Sequence, residues 1–108
     1  MPDCVFCERI KKKEYDTILN GIVSFVPLNP VTPGHLLVVP SVHVSDALDN
    51  QLVTGMTFAE AARLARGLDC ACNLITSCGT DATQSVYHLH VHLVPRHRGD
   101  GLALPWSK

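Results

Sequence analysis

The segment from Val86 to Pro95 alternates in character from one residue to the next, as a β-strand with one buried face does. Successive side chains of a strand point to opposite faces, so every second residue shares a face. One predicted face is apolar and the other carries imidazoles: Leu89, Val91 and Leu93 on the first, His88, His90 and His92 on the second. The strand spacing separates neighbouring imidazoles by roughly 7 Å, twice the rise per residue.

Three histidines on one face of a strand need a chemical explanation. Each imidazole requires hydrogen-bond partners, and repulsion opposes the protonation of neighbours, so packing alone accounts poorly for three in register. Two chemistries remain open, a metal cage and a nucleophile with supporting groups for phosphoryl transfer. Gln84 and Ser85 stand just before this segment and offer an amide and a hydroxyl donor, which suit phosphate oxygens. This neighbourhood favours phosphate recognition.

The remaining strands predict an antiparallel sheet. Asn20-Gly21 lies between two β-type runs, 17–19 and 22–26, and predicts a type I′ hairpin because both residues tolerate a positive φ. The apolar run 35–40 is interpreted as a buried central strand, and 73–76 as a further strand. Together these elements predict an α+β fold with about five strands and one main helix.

The main helix is predicted over residues 58–66. Thr57 and Glu60 have the spacing of a capping box, and Gly67 is a suitable stop, whereas Gly55 argues against an earlier start. A single domain is expected over residues 1–108, with an irregular tail over about 99–108.

Composition and charge exclude several classes of protein. Nine Lys and Arg residues against ten Asp and Glu leave a net charge of −1, without the basic excess that binding to a nucleic-acid polymer or an anionic membrane needs. The basic run Arg9, Lys11, Lys12 and Lys13 is interpreted as solvated surface. No run approaches the ~20 apolar residues of a membrane span, and the first residues lack a signal-peptide pattern, so a cytoplasmic protein is expected.

Five cysteines are an odd number, which in a reducing cytosol indicates metal ligands or buried thiols rather than disulfides. Cys70, Cys72 and Cys78 are interpreted as packing residues. Cys4-x-x-Cys7 is by itself a moderate signal, because two cysteines at this spacing also arise by chance or as a redox pair.

Several segments together resemble the histidine triad (HIT) family of nucleotide hydrolases and transferases, in its zinc-binding bacterial type. The signature is His-x-His-x-His, present at 88–92. The likeness extends, in the family's order, over the segments 4–7, 29–40, 84–92, 95–96 and 99–106, and so covers nearly the whole chain. The resemblance implies a HIT-like fold and a homodimer.

The resemblance also implies a catalytic role for each matching residue. His90 would attack the α-phosphorus of a nucleotide and form a nucleotidyl-histidine that water resolves, which is covalent catalysis in two steps. His92 and Ser85 would hydrogen-bond phosphate oxygens, Gln84 would reach the leaving-group side, and His35 would support the triad. A core histidine that opens a strand remains the alternative for His35.

Nucleoside recognition in the family implies apolar contacts from Phe6, Phe25 and Leu28, which on sequence grounds are equally ordinary core residues. Pro27 stands where many members carry an aspartate for the ribose hydroxyls, and Asn29 is the predicted substitute. Further departures from the family pattern are at Ser77 and Thr83. Thr83 replaces a common glycine and would stiffen the phosphate loop.

Some members bind zinc through positions that in this chain read Cys4, Cys7, His43 and His88, which predicts a structural zinc site with four ligands. The alternative is a reduced dithiol beside a surface histidine. Binding of zinc would occupy His88 and leave His90 free to react.

The sequence therefore predicts a hydrolase or transferase acting on nucleoside phosphoramidates or dinucleoside polyphosphates. Two alternatives stay open: a nucleotide-binding module with little turnover, and a hydrolase whose triad binds catalytic zinc. The tail 104–106 is expected to cover the active site or the partner chain, because an apolar Trp is seldom left in water. Arg96, His97 and Arg98 have no assigned role.

Overall fold

A computed structural model describes residues 4–106. The elements follow one another as α1 (Val5–Lys11), β1 (Thr17–Leu19), β2 (Ile22–Phe25), β3 (Leu36–Pro40), α2 (Gln51–Arg66), β4 (Ala71–Ile75), a 3₁₀ turn (Thr80–Ala82) and β5 (Val91–Arg96). The strands form one antiparallel sheet in the order β1-β2-β3-β5-β4. The predicted α+β fold is confirmed. The ends of the predicted domain, residues 1–3 and 107–108, lie outside the described residues.

The hairpin between β1 and β2 confirms the prediction from Asn20-Gly21. Asn20 has φ 52° and Gly21 φ 77°, the positive values that a type I′ turn requires at both central residues. Leu19 pairs directly with Ile22, so the turn sets the register of the first two strands.

The two faces of the sheet carry separate apolar clusters. Helix α2 packs on one face, over Ile22, Val38 and Val91. On the other face the first turn of α1 brings Phe6 against Phe25 and its neighbours in β2 and β3. Each fully buried side chain of this size contributes about 1.5–3 kcal/mol to folding. The second face also carries the histidines, so α1 and the functional groups share one side of the sheet.

Helix α2 begins earlier than predicted. Asn50 is the N-cap, and its Oδ1 accepts from the Val53 N–H at 3.1 Å. Thr57 lies inside the helix, buried, and donates its hydroxyl to the Val53 carbonyl. The capping-box prediction was therefore wrong, and Gly55 is tolerated within the helix. A glycine costs only about 1 kcal/mol against alanine, which packing of the helix on the sheet offsets.

Helix α1 was not predicted from the sequence. Cys4 caps it, with its Sγ accepting from the Cys7 N–H at 3.2 Å. Phe6 and Ile10 lie four residues apart and both pack inward, which is helical spacing that the short seven-residue span made weak.

Strand β5 is shorter than predicted, since it begins at Val91 rather than Val86. The backbone before it bonds to groups outside the sheet: Leu89 N–H donates to the Val44 carbonyl at 2.7 Å, and the Thr76 hydroxyl donates to the His90 carbonyl at 2.8 Å. The prediction of one continuous strand was wrong. Because its first two histidines precede the strand, these loop contacts, and not strand pairing, hold the backbone that carries their rings.

Among the described residues no helix has the length and apolar character needed to cross a membrane.

Candidate active site and metal centre

Four sulfur and nitrogen ligands meet where α1 begins. The cluster combines Cys4 and Cys7 from the start of α1, His43 from the loop after β3, and His88 from the segment before β5. One ligand atom from each lies within 4.8 Å of all the others. Cys4 Sγ and Cys7 Sγ lie 3.3 Å and 3.4 Å from His88 Nδ1, and Cys7 Sγ lies 3.3 Å from His43 Nδ1. The structure thus brings together all four residues predicted as metal ligands.

The donor set fits a tetrahedral zinc ion. The usual zinc–sulfur and zinc–nitrogen bond lengths imply sulfur-to-nitrogen edges of about 3.5 Å, close to the separations in this cluster. The Nε2–H of His88 donates to the Pro40 carbonyl at 2.8 Å, so the lone pair of Nδ1 faces the two sulfurs. This second contact fixes the tautomer that a metal requires. Bound zinc would tie the beginning of α1 to the histidine segment.

Burial also defines the protonation of the cluster. It is the main cause that lowers the pKa of His88, so this ring is neutral. Burial, followed by the neighbouring Cys4, raises the pKa of the Cys7 thiol to about 11, so this thiol holds its proton when no metal is bound. Zinc displaces such protons, because the thiolate is the ligand.

His90 has one ring nitrogen without a hydrogen-bond partner among the described residues. A carbonyl can only accept, so the 2.7 Å contact with the His88 carbonyl identifies Nδ1 of His90 as the protonated nitrogen. The lone pair therefore lies on Nε2. Burial is the main cause that lowers the pKa of His90, which keeps the ring neutral. The edge of Phe6 packs on the imidazole, with ring centroids 5.2 Å apart.

His92 receives a fixed tautomer through His35. The Val31 N–H donates to His35 Nδ1 at 3.1 Å, so the proton of His35 is on Nε2. That Nε2–H donates to His92 Nδ1 at 3.0 Å, which leaves His92 with a proton on Nε2. Burial above all, and then the charges of His90 and His35, lower the pKa of His92 to about 4. His92 is thus a neutral donor, 5.3 Å from the His90 ring between centroids.

Gln84 is buried, and its amide is used inside the protein. Its Oε1 accepts from the Gly79 N–H at 2.8 Å, and its Nε2 donates to the carbonyls of Ser45 and Val86 at 2.8 and 3.1 Å. Both amide hydrogens are therefore occupied, and Gln84 positions the 79–86 loop in this structure. Gln84 therefore has no free donor in this structure for the predicted contact with the leaving group. Ser85, beside it, is exposed.

The loop that Gln84 holds includes a strained residue. Thr83 adopts φ 72°, in the left-handed region that a β-branched side chain rarely occupies. Such a conformation costs of the order of 1–3 kcal/mol and persists only where the surroundings impose it. The expected stiffness of this loop, inferred from Thr83 in place of glycine, is consistent with that geometry.

The residues predicted to hold the nucleoside divide into two groups. Phe6 and Phe25 are buried and meet edge to face, with ring centroids 5.5 Å apart. Leu28 and Asn29 lie on the loop after β2 and are exposed. Sequence reasoning missed Arg9, whose guanidinium carbon lies 4.1 Å from the Phe25 ring centroid. The sequence predicted the basic run to be solvated surface, and only the packing of α1 distinguishes Arg9 from its lysine neighbours.

A groove of about 300 Å³ opens beside His35 and His92. Its other lining residues are mostly apolar or hydroxyl-bearing: Val31, Asn73, Ile75, Ser77, Thr83, Val94, Arg96, Leu102, Ala103 and Leu104. Leu104 of the tail lines this groove, whereas Trp106, the residue on which the predicted cover depended, is exposed. Ser77, a departure from the family pattern, lines this groove.

Arg96 attaches the tail to the sheet. Its guanidinium donates to both carboxylate oxygens of Asp100, at 2.8 and 3.1 Å, and also to Asn73 Oδ1 and the Leu102 carbonyl. The guanidinium is the main cause that holds the pKa of Asp100 well below its usual range. Arg96 therefore has a structural partner, whereas His97 and Arg98 are exposed.

Comparison with known proteins agrees with this geometry. The model of the HIT domain family matches residues 15–99. The chain belongs to the HIT family, whose members are generally hydrolases and transferases. This confirms the resemblance drawn from the histidine motif.

Three relatives illustrate the likeness. An uncharacterised HIT-like protein of Borreliella burgdorferi is 32% identical, over 94% of this chain and 81% of the relative. The adenosine 5′-monophosphoramidase of Saccharomyces cerevisiae is 32% identical, over 95% of this chain and 69% of the relative. The solved structure of a zinc-bound histidine triad family protein from Mycobacterium smegmatis has a TM-score of 0.82 and 33% identity, covering 94% of this chain and 81% of that one.

Proposed function

We propose that the protein cleaves nucleoside 5′-phosphate derivatives through a nucleotidyl intermediate on His90. The observation that carries this proposal is the hydrogen bond from His90 Nδ1 to the His88 carbonyl, which leaves the lone pair on Nε2. A neutral, oriented imidazole beside phosphate donors is the arrangement that nucleophilic attack on phosphorus needs.

The reaction has two displacement steps. In the first, His90 Nε2 bonds to the α-phosphorus while the bond from phosphorus to the leaving group breaks, and the leaving group departs with a proton from solvent. In the second, water attacks phosphorus, the nitrogen–phosphorus bond breaks, and water loses a proton. His92 Nε2–H and the Ser85 hydroxyl stabilise the charge that develops on the phosphate oxygens. His35 and Gln84 are positioning residues, because each acts through His92 or through the loop.

The groove favours nucleoside phosphoramidates over dinucleoside polyphosphates. The charged side chain among its lining residues is Arg96, and that charge is already paired with Asp100. A second nucleotide carries several negative charges that apolar walls would desolvate without compensation. An amine with an apolar substituent loses nothing comparable. The name of the yeast relative, a monophosphoramidase, supports the same choice.

The proposal includes zinc held by Cys4, Cys7, His43 and His88. The ligand geometry and the zinc-bound relative from Mycobacterium smegmatis support it. Bound zinc would cross-link α1 to the histidine segment, and the closed set of protein ligands suits a structural rather than a catalytic ion. Among the described residues, the proton on His92 Nε2 and the grouping of His88 with the other three zinc ligands disfavour the triad as a metal cage.

We also retain the homodimer as a prediction. Leu52 and Met56, one helical turn apart, are exposed on the outer side of α2. Sedimentation analysis at several concentrations tests it, and a monomer at all concentrations would contradict it.

The decisive experiment is to trap the intermediate. Rapid quench during turnover of a nucleoside phosphoramidate, followed by peptide mass spectrometry, is expected to place the nucleotidyl group on His90. His90→Gly should slow turnover by several orders of magnitude while nucleotide binding remains, because Ser85 and His92 are unchanged. A matched control is His97→Gly, at an exposed histidine outside the groove.

Two outcomes would contradict the proposal. A label on His88 or His92 would identify that residue, and not His90, as the nucleophile. Binding of nucleotides without turnover of any substrate would favour the nucleotide-binding module instead.

A further inference from the structure

Arg9 is held in place as a flat cation at the surface of the aromatic cluster. Its Nε and Nη2 both donate to the Glu14 carbonyl, at 3.2 and 3.1 Å, and the Glu14 N–H donates back to the Arg9 carbonyl at 2.8 Å. Lys13, between them, takes φ 58° to close this turn. The guanidinium is therefore oriented by the backbone, in contrast to a flexible surface charge.

This cation is connected to the nucleophile through two aromatic rings. Phe6 contacts the His90 ring at 5.2 Å and the Phe25 ring at 5.5 Å between centroids, and the Arg9 guanidinium lies over Phe25. Arg9 covers Phe25, which is only 2% exposed. The guanidinium therefore lies at the end of an aromatic series that begins at the His90 ring, where a base extending from a phosphate at His90 along Phe6 would come within its reach.

The hydrogens on Nη1 remain available. In the part of the chain that the structure describes, the partners of Arg9 are the Glu14 carbonyl and the Phe25 ring, and neither engages Nη1. A guanidinium has donors and no acceptor. Guanine presents two acceptors, O6 and N7, on one edge, whereas adenine presents N7 beside a donating amino group. The faces of both bases stack equally well on a cation, so only the hydrogen-bonding edge distinguishes guanine from adenine.

We propose that Arg9 is a specificity-determining residue that binds the nucleobase and favours 6-oxopurines, guanine and hypoxanthine, over adenine. The proposal rests on the proposed function, since it assumes that the nucleotide lies with its phosphate at His90 and its base toward Phe6 and Phe25. It adds a polar contact to the apolar side chains of Phe6 and Phe25, which the resemblance to the family assigned to the base.

The first test uses the unaltered protein and the free 5′-monophosphates of guanosine, inosine and adenosine, with affinities measured by calorimetry. Guanosine and inosine monophosphates should bind about tenfold more tightly than adenosine monophosphate, the effect expected of one hydrogen bond to a charged group. Inosine lacks the 2-amino group of guanosine, so equal binding of these two assigns the preference to the O6 and N7 edge. Equal affinity for adenosine monophosphate would overturn the proposal.

The second test replaces the cation. Arg9→Met retains much of the stem over Phe25 and should reduce the ratio of guanosine to adenosine affinity to about one, whereas the control Lys12→Met, on an exposed cation next to the same helix, should preserve it. An unchanged ratio in folded Arg9→Met would also overturn the proposal. If that variant does not fold, the first test alone decides.

Binding of free monophosphates requires no turnover, so the two proposals fail separately. A 6-oxopurine preference without a label on His90 would remove only the proposed reaction. A labelled His90 without base preference would remove only the role of Arg9.

Discussion

The two ends of the histidine series differ in how their imidazoles are held. At the metal end, the buried His88 faces two thiols and His43, and every contact is internal. At the groove end, His92 is held by His35 on one side and opens on a groove of about 300 Å³ on the other. His90 lies between them. The three imidazoles therefore differ in chemistry because a different group binds one ring nitrogen of each.

The difference indicates a division of labour between stability and specificity. The metal end uses its donors on one another, so it can order α1 and, through the His88 carbonyl, the tautomer of His90. The groove end leaves one donor of His92 and an apolar wall for a ligand. Changes at the first end are expected to affect folding and the nucleophile together, and changes at the second to affect substrate choice.

The largest effect is expected from removing the two cysteine ligands at the metal end. Cys4→Ser combined with Cys7→Ser should remove zinc and lower the free energy of unfolding by several kcal/mol, because zinc bound only by the folded state stabilises it. Elemental analysis and denaturant unfolding measure both. The matched control is Cys70→Ser with Cys78→Ser, which changes two half-buried cysteines outside the cluster. Unchanged zinc in the first double variant would exclude this metal site.

A smaller effect concerns acid at the groove end. The pKa of His92 lies at about 4 in the folded protein, below its ordinary value of 6.5, so the unfolded chain binds more protons between those values. The contribution of His92 to stability is therefore full above about pH 6.5 and is lost as the pH falls toward 4. Unfolding measured across this range should show a steeper decline for the parent protein than for His92→Asn. Parallel declines would show that His92 is not held neutral.

The smallest effect is expected at the groove end, where a change beside Arg96 should alter substrate selectivity. Asp100→Asn keeps the shape of the clamp but leaves the Arg96 charge unpaired beside the groove. Turnover of a dinucleoside polyphosphate should rise a few-fold relative to that of an apolar phosphoramidate. Asp69→Asn, at an exposed aspartate, is the control. A selectivity ratio that does not change would indicate that the leaving group lies elsewhere.

The parts of the fold predicted correctly depend on local patterns. Asn20-Gly21 predicted its turn because the positive φ values are a property of those two residues. The start of α2 was missed because Thr57 has the spacing of a cap, yet Asn50 supplies the cap and packing on the sheet carries the helix through Gly55. Local propensity is a weak guide wherever tertiary contacts decide between two possible starts.

The site divides in the same way. The motif 88–92 and its neighbours indicated the family and the residue types, because the chemistry of imidazole and thiol belongs to the side chains themselves. The sequence did not reveal that the side-chain amide of Gln84 hydrogen-bonds within the protein, nor that Arg9 lies over Phe25. Each of these facts depends on a partner distant in the chain or on a turn of the backbone.

The sequence by itself determined the hairpin, the family and the residue types of the candidate metal and phosphate sites. Only the tertiary structure decided which nitrogen of each histidine carries the proton. The carbonyls of Pro40 and His88 and the N–H of Val31 make that choice, through contacts set by the folded backbone. An imidazole has two nearly equivalent nitrogens, so the bond made by one of them defines the chemistry of the other.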